Sequence, residues 1–149
     1  MTAKEIKDLL KSYRDLIEYQ EYAREQIAEI ERDKLLYMSR FCGAQDGMPR
    51  APGVTDTVGR KVADAIARYD DDITLYRVGL AQNEQKIRYI RHLLSMLPHR
   101  GGLILRLRFC SGKTWEDTAR KSHYSLSWTK KLADYYICVL SQKTGGKKI

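Results

Sequence analysis

From Val62 to Leu97 the chain carries one uninterrupted apolar seam: Val62, Ile66, Tyr69, Ile73, Tyr76, Leu80, Asn83, Ile87, Ile90, Leu94 and Leu97, in alternating steps of four and three. A period of 3.5 residues kept this long specifies a helix that packs along its length with a left-handed supercoil, because a lone helix cannot bury its own stripe. The helix is expected to start near Thr55–Thr57 and to end at Leu97, halted by Pro98, a span of roughly 50–60 Å at 1.5 Å per residue. Asn83 is the seam's single polar member, either a register-fixing residue or one at a solvated edge. Ahead of it, Ala3 to Arg40 lacks Gly and Pro and repeats Ile6/Leu9, Tyr13/Leu16, Gln20/Ala23 and Ile27/Ile30, with Leu10 and Ile17 widening the stripe. Gln20 and Lys34 are its polar lapses. Between the two, Gly43, Gly47, Pro49, Pro52 and Gly53 predict a loop over 41–56.

Two helices of similar length joined by such a loop most simply make an antiparallel hairpin. The fold class expected is therefore all-α: a long, coiled-coil-like hairpin over residues 1–97, a helical module over 98–142 and a basic tail over 143–149. A bare hairpin leaves Tyr19, Tyr22, Tyr37 and Tyr89 outside the seam, which points to a homodimer through the amino-terminal helices. The run Asp70-Asp71-Asp72 reads as a solvated face, without the Gly and distal Glu of a calcium loop.

Charge separates the two parts. Residues 1–98 hold sixteen basic and sixteen acidic side chains, whereas residues 99–149 hold eleven basic and three acidic ones, so the whole net charge of +8 lies in the final third. A basic excess confined to one module is the electrostatic footprint of polyanion binding.

That module has its own punctuation. Leu103 to Cys110 is apolar and dotted with arginine, and Ser111-Gly112-Lys113 is a natural helix stop. Thr114 stands three residues before Asp117, the spacing of an N-cap and its N3 carboxylate, and opens a short helix from Trp115 to about Lys121. Ser122-His123-Tyr124 makes a turn, and Ser125 caps a longer helix from Leu126. Two capped helices so spaced are a helix-turn-helix. Ala119 is small where the helices approach. Thr129, Leu132, Tyr136, Ile137 and Leu140 take the core face of the second helix, and Ser127, Trp128, Lys130, Lys131 and Asp134 point outward with donors for phosphates and base edges.

The succession of a Leu105-Arg106-Leu107-Arg108-Phe109 helix, a Gly112-Lys113-Thr114 break, a Trp115-Glu116-Asp117-x-Ala119 helix and a Ser125-capped helix resembles region 4 of sigma-70-type factors. With long helices ahead of it, the chain resembles the phage-encoded late transcriptional regulators of the ArpU/RinA type. It departs from that pattern at Thr118 and Ser122, where large aliphatic residues are usual, and at His123, where glycine is. The resemblance implies a sequence-specific regulator of phage late genes that binds double-stranded DNA and acts with host RNA polymerase in the bacterial cytoplasm. DNA would be met by Ser125, Ser127, Trp128, Lys130 and Lys131 of the second helix, with Lys113, Thr114, Arg120, Lys121 and Arg108, and further Arg100 and Arg106, on flanking phosphates. A dimer would span half-sites about one helical turn apart.

Other classes find less in the sequence. No Gly-rich phosphate loop, nucleophile elbow or Cys/His constellation is present, so no enzyme, cofactor or metal is expected. Cys42, Cys110 and Cys138 lack Cys-x-x-Cys spacing and point to a reducing cytosol. Lys4, Glu5, Lys7 and Asp8 interrupt any leader-like apolar run, and no stretch is long enough for a membrane span. Two alternatives keep the fold: a small terminase-like DNA-packaging recognition subunit, and an adaptor that grips RNA polymerase without DNA.

Overall fold

The computed structural model describes residues 1–41 and 55–145, and every regular element among them is helical. In order these are α1 (Ala3–Phe41), α2 (Thr55–Ser95), α3 (His99–Leu105), α4 (Trp115–Ser122) and α5 (Leu126–Gly145), with a wider helical turn at Arg106–Cys110 continuing α3. The expected 41–56 loop falls on residues 42–54, outside the described ones, while Phe41 closes α1 and Thr55 opens α2. The tail expected from residue 143 begins later, because α5 runs on to Gly145 and Lys143 donates to the Met96 carbonyl at 3.0 Å.

Local chemistry sets the ends. Thr2 and Glu5 form a reciprocal capping box, Thr2 N–H donating to Glu5 Oε2 at 2.7 Å and Glu5 N–H to Thr2 Oγ1 at 3.2 Å. At its far end α2 stops at Ser95, two residues before the expected Leu97. The residue before a proline is pushed out of the helical region, so the chain tightens into a turn, Leu97 N–H reaching only to the Leu94 carbonyl at 3.2 Å.

The chain divides into two compact units, and the division does not fall at Pro98. One unit is Tyr19–Gln82; the other joins Met1–Glu18 to Asn83–Ile149. In Tyr19–Gln82 the two helix segments run antiparallel, since contacts pair rising with falling numbers: Tyr19 with Gly79, Tyr22 with Tyr76, Lys34 with Asp70, and Tyr37 with Tyr69. Asp70, Asp71 and Asp72 are all exposed, as the sequence implied, with Asp70 in the 2.7 Å pair to Lys34. The predicted seam residues of α2 are without exception at least partly buried, yet among the described residues of this unit only Ala23 and Ile73 are in the buried core.

The other unit has a deep core. Ile6 and Leu10 of α1, Ile90, Leu93, Leu94 and Leu97 from the α2 end, Ile104, Leu105 and Cys110, and Ala133, Ile137 and Leu140 of α5 form one cluster. The amino-terminal helix is thus part of the same core as the carboxyl-terminal module, where the sequence suggested a separate scaffold. Gly101 explains how α3 and α5 come so close. A Cβ there would lie 2.8 Å from the Tyr136 ring, so only glycine leaves room for it.

Candidate nucleic-acid interface

The helix-turn-helix is assembled by local bonds. After α3 the backbone widens, Ser111 N–H donating to the Arg106 carbonyl at 2.8 Å, and Gly112 then turns the chain with φ of 67°. Thr114 caps α4, its hydroxyl oxygen accepting from Asp117 N–H at 3.2 Å, while the Asp117 carboxylate pairs with Arg120 at 3.3 Å. The helix ends in a Schellman-type cap: His123 takes φ 62° and ψ 32°, and Tyr124 N–H reaches back to the Ala119 carbonyl at 3.2 Å. Histidine occupies the left-handed conformation here without glycine's freedom. Ser125 caps α5, accepting from Trp128 N–H at 3.3 Å.

The polar side chains at the helix crossing are satisfied within their own helices. Thr118 and Thr129 are fully buried, but Thr118 Oγ1 donates to the Thr114 carbonyl and Thr129 Oγ1 to the Ser125 carbonyl, both at 2.8 Å. Each buried hydroxyl therefore keeps a partner and avoids the full desolvation penalty. Ser122 Oγ does the same toward the Ala119 carbonyl at 3.2 Å. Ala119 is buried at the crossing, as its size requires.

On α5, Thr129, Ala133, Ile137 and Leu140 are buried, and the opposite face is open. Ser127, Lys130, Lys131 and Asp134 are exposed, and Trp128 is 49% exposed, a large surface for an indole. Tyr135, 60% exposed, lies one turn beyond Lys131 on this face. Sequence reasoning passed over it, although its spacing of four from Lys131 and seven from Trp128 marks the same side. Asp134 meets Lys7 at 3.6 Å, which tempers its negative charge at the edge of the face.

Lys113, Arg120 and Lys121 are exposed, with Arg120 held near the Asp117 carboxylate. Thr114 and Ser125 are exposed too, but their hydroxyl oxygens serve the helix starts. Arg108, expected on a flanking phosphate, is engaged within the chain. Its guanidinium donates to the Lys113 carbonyl at 2.9 Å and stacks 4.8 Å from the Trp115 ring centre, and its Nε is buried without a partner. Trp115 in turn meets Phe109 edge-on at 6.3 Å. Arg108 is a brace across the break before α4. Arg100 is similarly engaged, donating to the Tyr124 hydroxyl at 2.6 Å with its cation 5.6 Å from the ring centre.

Across the described residues 99–145 nine basic side chains stand against three acidic ones. Among the described residues no cluster of His, Cys, Asp and Glu could hold a metal ion, and no helix is long and apolar enough to cross a membrane. No protein-family model, curated protein or solved structure matches the chain.

Proposed function

We propose that this chain is a sequence-specific double-stranded DNA-binding transcription regulator, with α5 entering the major groove. The observation that carries the reading is the outward face of α5: Ser127, Trp128, Lys130, Lys131 and Tyr135 are all open to solvent on a firmly capped helix within the basic unit. A helix has the width to enter a major groove, lysines neutralise phosphates there, and Ser127 and Trp128 sit where base edges would be read. Lys113, Arg120 and Lys121 supply flanking phosphate contacts. In keeping with the resemblance to ArpU/RinA-type regulators, the protein activates phage late genes together with host RNA polymerase. It works as a homodimer, a reading supported by the exposed Leu35, Leu36, Leu75 and Val78 of the Tyr19–Gln82 unit.

A mobility-shift series over salt concentration tests the central claim. The parent protein should lose affinity steeply with salt, and Lys130→Ala with Lys131→Ala should flatten the slope by about 0.9 for each lysine that meets a phosphate. Substituting Ser127 or Trp128 should change which duplexes are selected from a random pool. A double lysine variant that binds like the parent at every salt concentration removes α5 from the groove. No shift at all favours the adaptor reading.

A further inference from the structure

A second cationic feature lies in the unit formed by Met1–Glu18 and Asn83–Ile149. Tyr13, Arg91, Leu94, Arg106 and Cys110 wall a concavity of about 450 Å³. None of the five is acidic, and two are arginines on different helical segments. Arg91 donates to the Tyr13 hydroxyl at 3.4 Å, which leaves the phenolic proton free to be donated onward. Among the described residues Arg106 makes no salt bridge to a carboxylate. The floor is apolar, with Leu94 and Cys110 buried. Burial pushes the Cys110 thiol up to about 11, while Arg106 pulls it the other way. The thiol is therefore neutral at physiological pH and adds no negative charge beneath the guanidinium groups.

We propose that this concavity binds a phosphate group, held by the forked donors of Arg91 and Arg106 and the hydroxyl of Tyr13. Planar guanidinium forks match phosphate oxygens in pairs, and the volume exceeds a bare phosphate, leaving Leu94 and the Tyr13 ring for an attached organic body. Two sources present that chemistry: a small phosphorylated molecule, or a backbone phosphodiester of bound duplex. Only the second rests on the DNA-binding reading.

Inorganic phosphate is the first probe, titrated against the full chain with the thermal midpoint followed and sodium chloride at matched ionic strength as control. The parent midpoint should rise saturably with phosphate. Arg91→Gln and Arg106→Gln should each weaken the apparent affinity by about tenfold or more, the loss of a charge-assisted contact. Arg91→Lys and Arg106→Lys keep charge and stem if the glutamine variants fold poorly, and should still bind more weakly than the parent for want of the fork. Chloride matching phosphate, or all folded variants responding like the parent, overturns the proposal. In a duplex arm, displacement of a short duplex by phosphate, with a salt slope lower by about 0.9 in Arg106→Gln, identifies the phosphodiester as occupant. Unchanged duplex affinity beside a lost phosphate response identifies the small molecule. A parent that binds no duplex sinks the DNA reading and leaves the phosphate titration intact.

Discussion

The two units of this chain share the same pair of long helices and differ in almost everything that follows from their sequences. In Tyr19–Gln82 the helices hold each other by a narrow seam with two buried apolar residues among those described, flanked by tyrosine edges and exposed ion pairs worth little each. Nine basic and eleven acidic side chains nearly cancel there. In the Met1–Glu18 and Asn83–Ile149 unit the same helices meet α3 and α5, and that second layer gives Ile6, Leu10, Ile90 and Leu93 full burial. The excess positive charge sits there as well. A two-helix ribbon can be specified by periodicity alone, but a deep core requires a third and fourth element to close over the stripe. Positive charge and deep burial are thus concentrated in the unit that carries the helix-turn-helix, while the ribbon by itself is thinly packed and slightly acidic.

The sharpest way to break that contrast is to cut one residue from each seam. Leu10→Ala removes a fully buried side chain from the core that α5 completes and should cost about 2–5 kcal/mol in denaturant unfolding, with amide protection lost in α5. Ile73→Ala should fall at or below the low end of that range, since its neighbours Thr74 and Leu75 are exposed and the site can relax, and α5 amides should keep their protection. Equal loss of α5 protection in both variants would erase the distinction between the units. A smaller effect is expected at Gly101→Ala. The added methyl meets the Tyr136 ring, and overpacking of about 1–3 kcal/mol is partly offset by about 1 kcal/mol of helix propensity. Pairing it with Tyr136→Leu should return most of the loss. If the single variant is as stable as the parent, Tyr136 moves freely and the α3–α5 approach is looser than its geometry suggests.

What could be read from the sequence follows the same division. The starts of the two helices, their caps, the turn between them and the outward lysines were legible because each depends on residues within four positions of one another: Thr114 with Asp117, Ser125 with Trp128, Lys130 beside Lys131. The seam was legible because periodicity is local information repeated. Gln20 and Asn83 each stand within two residues of the point where their helix passes from one unit to the other, a coincidence that periodicity alone did not reveal. The amino terminus joining the carboxyl-terminal core was not legible. The stripe of Ile6 and Leu10 shows that this face is buried, not against what, and its partners Ile137 and Leu140 lie more than a hundred residues away. The setting of Arg108 was hidden for a related reason: an arginine beside a basic helix reads as a phosphate contact, and only the fold shows Trp115 beneath it. The role of Gly101 was not legible either, because the ring it accommodates belongs to a distant helix.

The smallest effect on the isolated chain is expected at the ribbon's open face, and there the comparison can be turned into a test of assembly. Leu35 and Leu75 are 65% and 71% exposed, so Leu35→Lys with Leu75→Lys should change the unfolding free energy of a lone chain by no more than about 0.5 kcal/mol for each site. In a dimer that covers these residues the same lysines would be buried without partners, and the cost would fall on association. Sedimentation of the parent at rising concentration should show twice the mass of one 17.3 kDa chain, and the double variant should remain at the single mass with its melting unchanged. DNA binding would then weaken with the lost second copy while the phosphate response of the basic unit stays as it was. If the double lysine variant still sediments as a dimer, the ribbon's exposed leucines are ordinary surface and the copies meet elsewhere; a parent that stays at the single mass at every concentration removes the dimer altogether.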